Sequence, residues 1–363
     1  MSVFIRFKKR AGELSQPRAI FTALFAVALV ALLIFGVSAR REKEVVSESF
    51  HLGTYINLRA YGRDKKFLET ELNGAKSEMS RLEGLFSANI ADSDISRAGA
   101  SSGEWVEISA ETASLAARSL EIANMTGGTF DPTIGAIVKL WGIGTSSARV
   151  PSREETAQAL AAAGWEKVSL CEEDGKYFIK LAHGQMLDMG AIAKGRVADI
   201  VRAKLADDGV TRALLNLGGN VVVIGSAPNG GPWKIGIQHP DKPRGEYIGF
   251  FAVTDSSVVT SGAYERYFEA DGVRYCHIFD PSTGLPAVSD ISSVTIADAD
   301  STFADALCTA LYVMGCAKSL EFLRARPDIA AVIVSDKKVY ITPAAKKTFT
   351  LTDKNFTLEE IPQ

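Results

Sequence analysis

The feature that most constrains this chain is an uncharged apolar run of 20 residues near its N-terminus, residues 19–38. A helix of about 20 apolar residues spans the hydrocarbon core of a bilayer. Five basic residues precede the run, and basic residues beside a membrane span stay in the cytoplasm. We therefore expect residues 1–41 to form a basic segment and a membrane anchor. The rest of the chain is then expected to lie outside the cytoplasmic membrane.

Two other interpretations of this run stay open. Residues 37–39 resemble the small-residue site of a cleaved signal peptide, although the run exceeds the roughly 7–15 apolar residues usual there. A buried core helix is the second alternative, and an unbroken apolar run of this length is unusual in soluble folds. Arg40, Arg41 and Lys43 follow the run and weaken the membrane orientation without reversing it.

The remaining sequence predicts one large domain. Residues 42–49 read as a polar linker, residues 50–345 as the domain, and residues 346–363 as a C-terminal tail. The chain has 363 residues, of which 47% are hydrophobic, so the domain can bury a sizeable core. A net charge of −3 gives no sign of a nucleic-acid partner. The four cysteines form no C-x-x-C pair, which excludes a zinc ribbon.

Hydrophobic periodicity indicates helices and strands that mix without strict alternation. Apolar residues spaced by three and four predict helices over 67–86 and 110–125, and alternation predicts a strand over 50–61. A strand-like run at 213–224 is interrupted by Gly218 and Gly219. We expect an α+β fold with mixed, largely antiparallel sheets and packed helices.

Residues 127–133, Gly-Gly-Thr-Phe-Asp-Pro-Thr, follow the second predicted helix. Glycines allow the chain to turn here, and Asp131 predicts a local Asx hydrogen bond. A ligand contact is the alternative interpretation. Trp141 is either a core residue or a ring-stacking surface. Neither G-x-G-x-x-G after a strand nor a P-loop motif occurs, so any nucleotide must be held in another way.

The segment 187–195 runs from a predicted strand into a helix expected over 191–206. Asp188 is placed to cap that helix. Lys194 lies among small residues that allow a ligand or another backbone to come close. A helix N-terminus with a lysine suits a phosphate group. The glycine pair at 218–219 indicates either a bulge or a close ligand contact.

Two further patterns indicate candidate catalytic and metal-binding residues. His277, one of four histidines, stands at a strand end before a Pro/Gly turn and after the 260–262 Thr-Ser-Gly run. There it can serve as a base, or it can be structural. Asp305 and Thr309 lie four residues apart, on one face of a predicted helix. Their oxygen atoms suit Mg²⁺, and a helix-dipole role for Asp305 is the alternative.

These motifs, in this order, resemble the ApbE family of FAD:protein FMN transferases over roughly residues 50–342. The resemblance also rests on blocks at 52–54, 87–96 and 277–284. It implies transfer of FMN from FAD to a Thr or Ser hydroxyl of an acceptor flavoprotein, with release of AMP. His277 would be the general base. The expected acceptor is a membrane-bound respiratory protein.

The resemblance also implies the ligands of FAD and Mg²⁺. The expected magnesium ligands are the carbonyl of Ala191 and the side chains of Asp305 and Thr309. The expected FAD contacts are Leu52, Asn89, Thr129, Phe130, Asp131, Asp188, Lys194 and Phe279.

The chain departs from the family at two neighbouring positions. Ala88 replaces the usual threonine, and Asn89 stands where many members carry an aromatic residue that can cover the flavin. Less cover would admit water, so an FAD pyrophosphatase that yields FMN and AMP is an alternative function. A flavin-binding protein without catalysis is a third interpretation.

Overall fold

The computed structural model describes residues 42–262 and 267–362. The predicted anchor and cleavage site lie outside the described residues. No helix in the described part is long and apolar enough to cross a membrane. The chain divides into two units, Met1–Lys43 and Glu44–Gln363, and the second unit carries the domain.

Among the described residues the helices are short to medium in length, and the longest is the amphipathic helix that follows the first two strands. Two single-turn 3₁₀ helices, Trp165–Lys167 and Ala345–Lys347, lie between other elements. The α-helices are α1 Lys65–Phe86, α2 Asp94–Ala100, α3 Ala110–Met125, α4 Gly135–Trp141, α5 Arg153–Ala162, α6 Ala193–Asp207, α7 Ser301–Met314 and α8 Cys316–Arg324.

The strands are numbered in chain order along the described residues. They are β1 Lys43–His51, β2 Thr54–Gly62, β3 Trp105–Ile108, β4 Ser169–Glu173, β5 Lys176–Lys180, β6 Ala213–Leu217, β7 Asn220–Ile224, β8 Trp233–Gln238, β9 Tyr247–Val253, β10 Ser257–Gly262, β11 Tyr267–Ala270, β12 Val273–Cys276, β13 Phe279–Asp280, β14 Leu285–Pro286, β15 Ser293–Asp298, β16 Ala330–Ser335, β17 Lys338–Ile341, β18 Phe349–Leu351 and β19 Thr357–Glu360.

A nine-stranded sheet organises the domain, in the order β1-β2-β6-β7-β10-β15-β16-β17-β19. Its pairs from β2 to β17 are antiparallel, and β17 pairs with β19 in parallel. Two three-stranded sheets, β18-β9-β8 and β3-β5-β4, and two hairpins complete the β-structure. The expected α+β fold with largely antiparallel sheets is therefore confirmed.

The large sheet is covered on both faces. Along β16, Ala331 and Ile333 join the core that contains the helices, whereas Val332 and Val334 join the core formed with β8 and β9. Successive side chains of a strand point to opposite faces, so a strand buried on both sides has a continuous apolar sequence. The helices thus pack on one face of the large sheet, and the β18-β9-β8 sheet packs on the other.

Local sequence explains where α1 begins and what it buries. Asp64 caps the helix, because its carboxylate accepts a hydrogen bond from the backbone N–H of Phe67. The apolar positions then recur at three- and four-residue spacing and are buried against the sheet. They are Leu68, Leu72, Ala75, Met79, Leu82 and Phe86.

Two predicted domain boundaries are wrong. Residues 42–49, interpreted as a linker, belong mostly to β1, an edge strand of the large sheet in which Val45 is buried. An exposed edge strand is largely polar, so its sequence resembles that of a linker. Residues 346–363, interpreted as a tail, supply β18 and β19, which pair with β9 and β17.

Two predictions within the strands also need correction. The expected strand 50–61 is divided by a turn at Leu52 and Gly53, whose φ angles are +52° and +64°. Gly218 and Gly219 form the two-residue turn of a hairpin in which Leu217 pairs with Asn220, and not a bulge within one strand. Both residues have positive φ. Glycine adopts positive φ without steric cost, so it is favoured at both positions of a two-residue turn.

Candidate active site

Two chain turns and one strand end meet at one end of the large sheet. Register places the start of β2 and the β6–β7 turn side by side, since Ile56 pairs with Leu217, and the end of β10 lies next to them, since Val259 pairs with Asn220. A cavity of about 530 Å³ opens at this end. Its volume is within the range of small-molecule and cofactor pockets.

The structure brings the sequence-predicted site residues together at this cavity, although they are spread over more than 250 positions. Asp305 alone is not part of the lining, and it lies buried directly behind Lys194. The predicted residues that line the cavity are Leu52, Asn89, Thr129, Phe130, Asp131, Asp188, Ala191, Lys194, His277, Phe279 and Thr309.

The 127–133 segment forms one wall of the cavity through a tight turn. An oxygen of Asp131 accepts hydrogen bonds from the backbone N–H of Thr133 at 2.7 Å and from its hydroxyl at 2.6 Å. This is the predicted Asx hydrogen bond. Burial raises the pKa of Asp131, and the Thr133 donors oppose that rise. Because Phe130 is buried beside it, the turn is rigid where it meets the cavity.

Asp188 does not cap the following helix, so that prediction is wrong. Helix α6 begins at Ala193, and Ile192 stands at its N-cap position without a side-chain hydrogen bond. An oxygen of Asp188 instead accepts from the backbone N–H of Gly190 at 2.8 Å, within the turn that precedes the helix. Burial raises the pKa of Asp188, while the Gly190 N–H and the charge of Lys194 oppose the rise. The carboxyl group therefore lines the cavity in an environment that penalises its charge.

Lys194 lines the cavity and forms an ion pair with a residue of helix α7. Its ammonium donates to the carbonyl of Gly190 at 3.1 Å and to Oδ1 of Asp305 at 3.3 Å. The other Asp305 oxygen accepts from the backbone N–H of Gly195 at 2.9 Å. Asp305 is 1% exposed, so both of its oxygens have donors in a buried setting. Thr309 stands one helical turn further along and lines the cavity.

Close packing of α6 on α7 makes this arrangement possible. A Cβ on Gly195 would lie 2.2 Å from the carbonyl oxygen of Ser301, so only glycine allows this approach. Asp199, one turn later on α6, accepts hydrogen bonds from the backbone N–H groups of Ser301 and Thr302 at the start of α7. The expectation that small residues admit another backbone is thus met at Gly195.

His277 directly follows strand β12, as the sequence predicts, and lines the cavity. Ser261 and Gly262, at the end of β10, also line the cavity. Cys276 is buried behind it.

Trp141 is a core residue and not a ring-stacking surface, because its ring is buried and its indole N–H donates to the carbonyl of Gly284 at 3.1 Å.

The residues predicted to bind magnesium fit such an ion chemically. Asp305, Thr309 and the carbonyl of Ala191 would offer a carboxylate, a hydroxyl and a carbonyl oxygen, the hard ligands that Mg²⁺ prefers. Magnesium commonly takes few protein ligands and completes its shell with phosphate oxygens and water. Across residues 42–262 and 267–362, no three His, Cys, Asp or Glu side chains are grouped to hold a metal ion.

The sequence does not predict two charged residues of the lining or the contact made by a third residue. Glu83 lies on α1, and Arg244 lies on the exposed β8–β9 loop. Thr54 contacts the β6–β7 turn so closely that a Cβ on Gly218 would lie 2.2 Å from its hydroxyl oxygen. No motif marks Glu83 or Arg244, because helix and loop surfaces commonly carry charged residues. The block 52–54 does contain Thr54, but only the fold reveals its contact.

Comparison with known proteins gives a consistent result. The model of the ApbE family matches residues 52–333. The FAD:protein FMN transferase of Treponema pallidum is 36% identical over 337 residues, which cover 88% of this chain and 92% of that protein. A protein of the same name from Klebsiella pneumoniae is 34% identical, covering 82% and 90%.

Solved structures agree with the sequence relatives. The ApbE protein of Thermotoga maritima superposes with a TM-score of 0.77 at 32% identity, covering 84% of this chain and 99% of that one. The flavinyl transferase ApbE of Pseudomonas stutzeri, in its apo form, gives a TM-score of 0.74 at 28% identity, covering 85% and 97%.

Proposed function

Because the chain belongs to the ApbE family, we propose that it is an enzyme, an FAD:protein FMN transferase. Its substrates are FAD and the Thr or Ser hydroxyl of an acceptor flavoprotein. The observation that carries the proposal is the convergence on one cavity of His277, Lys194 and the oxygen ligands around Asp305. A base, a cation and a magnesium-type ligand set are the groups that phosphoryl transfer requires.

The proposed reaction exchanges the phosphoanhydride bond of FAD for a phosphate ester bond to the acceptor. The acceptor oxygen forms a bond to the phosphorus of the FMN half, and the bond from that phosphorus to the bridging oxygen breaks. AMP leaves with the bridging oxygen. The acceptor hydroxyl loses its proton to His277, whose neutral imidazole can accept it near neutral pH.

Other residues hold the substrate and its charge. Lys194 is placed to neutralise phosphate oxygens, since its ammonium stands on the cavity floor with a buried carboxylate behind it. Thr129, Phe130 and Asp131 form a rigid wall against which FAD would lie. Ala191, Asp305 and Thr309 would hold Mg²⁺, which when bound neutralises the pyrophosphate and favours departure of AMP.

A second candidate function is FAD hydrolysis to FMN and AMP. Asn89 is exposed at the cavity where many family members carry an aromatic side chain. Water that reached the phosphorus would replace the acceptor hydroxyl in the same displacement. Binding of flavin without catalysis is a third function, which the presence of His277 in the cavity disfavours.

We extend the proposal to location and partner. Residues 19–38 would anchor the protein, with the domain outside the cytoplasmic membrane, and the acceptor would be a membrane-bound respiratory flavoprotein. The length and apolar character of the run and its basic flank support this arrangement. The net charge of −3 gives no support for a nucleic-acid partner.

One incubation separates the three functions. The full chain is mixed with FAD, Mg²⁺ and a co-expressed candidate acceptor, and the acceptor is analysed by mass spectrometry. FMN bound covalently to the acceptor, with one AMP released for each FMN, is the expected result. Free FMN without modified acceptor would support the hydrolase, and bound but intact FAD would support the binding protein.

A further inference from the structure

The turn between β1 and β2 is held in an unusual backbone conformation beside the cavity. Leu52 has a φ of +52°, in the left-handed region that side chains other than Gly, Asn and Asp rarely adopt. In the part of the chain that the structure describes, every other non-glycine residue with positive φ is an Asp or a Ser. Leu52 is thus the one apolar residue there that accepts this cost, and it lines the cavity.

A single carboxylate fastens this turn to helix α1. The backbone N–H of Leu52 donates to Oε1 of Glu83 at 2.8 Å, and Nδ1 of His51 lies 3.4 Å from Oε2 of the same group. Both side chains of the His51–Glu83 pair are largely buried, with exposures of 17% and 26%. Glu83 is 31 residues from Leu52 in sequence, so the contact joins two separate elements.

The opposite side of the turn is also confined. Thr54, which follows the turn, packs against Gly218 with no room for a side chain there. The turn is therefore clamped between the last turn of α1 and the β6–β7 hairpin. Glu83 lies four residues before Ser87, where the chain leaves α1 to form another wall of the cavity at Ala88 and Asn89.

We propose that Glu83 is a positioning residue that holds Leu52 and Gly53 against the cavity and thereby fixes the shape of the flavin site. This proposal rests on the proposed function for the identity of the ligand. Strained backbone persists only where its surroundings stabilise it, and such strain is concentrated at functional sites. If the turn were mobile, FAD binding would have to order it, and the entropy lost would weaken the affinity. A turn that is already fixed avoids this cost.

Three variants test the role of Glu83. Glu83→Ala removes the acceptor for the Leu52 N–H, whereas Glu83→Gln keeps a carbonyl oxygen at the same position. Glu78→Ala is the matched control, because Glu78 lies on the same helix, pairs with Arg81 and does not line the cavity. The readouts are FAD affinity by fluorescence titration and the exchange rate of the Leu52 amide hydrogen.

We expect Glu83→Ala to weaken FAD binding about tenfold or more and to speed Leu52 amide exchange by a similar factor. Glu83→Gln should stay within about threefold of the unchanged chain in both measurements, and Glu78→Ala should match it. Unchanged affinity and exchange in Glu83→Ala would overturn the proposal. So would a Glu83→Gln defect equal to that of alanine, because charge and not hydrogen-bond acceptance would then matter.

A double-mutant cycle distinguishes loss of the contact between Glu83 and Leu52 from general destabilisation of the domain. Leu52→Gly removes the cost of the left-handed conformation, so the drop in melting temperature caused by Glu83→Ala should shrink in that background. An equal drop in both backgrounds would contradict the clamp. If the unchanged chain fails to bind FAD, the proposed function falls, whereas amide exchange and the cycle still decide the role of Glu83.

Discussion

The ammonium of Lys194 lies 3.3 Å from Oδ1 of Asp305, and this ion pair joins the start of α6 to the second turn of α7. The lysine is 20% exposed and faces the cavity, whereas the aspartate side chain is 2% exposed. A buried carboxylate is stable only when its charge is compensated. The pair therefore connects the cavity with the interior of the domain. A substitution of either residue leaves the charge of the other without its partner.

Asp305→Asn should abolish Mg²⁺-dependent FMN transfer while the domain still folds. The amide keeps the shape and can accept from Gly195, but it lacks the charge that a divalent ion requires. Changes to residues that only support metal ligands cost about 10–100-fold, so loss of a direct ligand should lower the rate by at least about 100-fold. Transfer rate against Mg²⁺ concentration and Mn²⁺ binding by electron paramagnetic resonance are the measurements.

Asp300→Asn is the control for that variant. Asp300 caps α7, where its carboxylate accepts from the N–H of Phe303, but it is not a cavity residue. Its substitution should lower stability slightly and leave the Mn²⁺ affinity unchanged. Wild-type Mg²⁺ dependence in Asp305→Asn would remove Asp305 from the metal site.

Gly195→Ala should destabilise the protein, since the new Cβ would lie 2.2 Å from the Ser301 carbonyl. Overpacking of this kind costs about 1–3 kcal/mol. Gly84→Ala is the matched comparison, because Gly84 also lies in a helix and a Cβ there meets nothing within 4 Å. That change should be neutral or stabilising by up to about 1 kcal/mol. Urea unfolding measures both, and equal effects would show that α6 and α7 can separate freely.

Local patterns in the sequence predict much of this fold. The helix expected over 110–125 coincides with Ala110–Met125 and is followed by glycines with positive φ at 127 and 128. Its amphipathic spacing and the glycine pair are both local signals, so no tertiary information is needed. The Asx turn at Asp131 is predictable for the same reason.

The errors occur where distant parts of the chain decide the structure. Residues 42–49 are a strand only because β2 lies beside them, and the turn at Leu52 depends on Glu83. The order of the motifs along the sequence identifies many of the cavity residues. Where these residues come together in space cannot be predicted without the register of the whole sheet. A polar residue before a helix favours capping, so the sequence predicts a cap at Asp188, and no local signal reveals the turn that separates Asp188 from the helix.

The full chain should fractionate with membranes, and external protease should cleave its domain in spheroplasts. The uncharged run 19–38 and the basic residues before it motivate this prediction. A variant that starts at residue 42 should be released in soluble form and retain FMN transfer, because the cavity is built from residues 50–309. A mature N-terminus at Arg40, found by sequencing, would instead indicate a cleaved signal peptide.

Asp188→Asn should raise the melting temperature of the ligand-free protein at neutral pH. Burial raises the pKa of Asp188, so the folded state holds its proton to a higher pH than the unfolded state does. Stability is therefore lost as pH rises from about 3.9, the ordinary carboxyl value, through the raised pKa. Asparagine avoids that loss, so its advantage should be full above the raised pKa and vanish at lower pH.

Thermal melts across pH measure this effect, and Asp207→Asn, at an exposed position on α6, is the control that should show no such trend. The same Asp188→Asn preparation should bind FAD less tightly if the carboxylate contacts the ligand. A melting temperature that falls at neutral pH would show that the Asp188 charge is stabilised in the folded state.

His277→Ala should slow FMN transfer by about 10²–10⁴-fold, the usual contribution of a general base. His277 lines the cavity directly after β12, and as a general base its imidazole would act on the acceptor hydroxyl and not on FAD binding. FAD affinity and melting temperature should therefore change little. His183→Ala, at an exposed position on a loop, is the matched control and should be active. A proportional loss of rate, affinity and stability in His277→Ala would instead assign His277 to the support of the 280–284 turn.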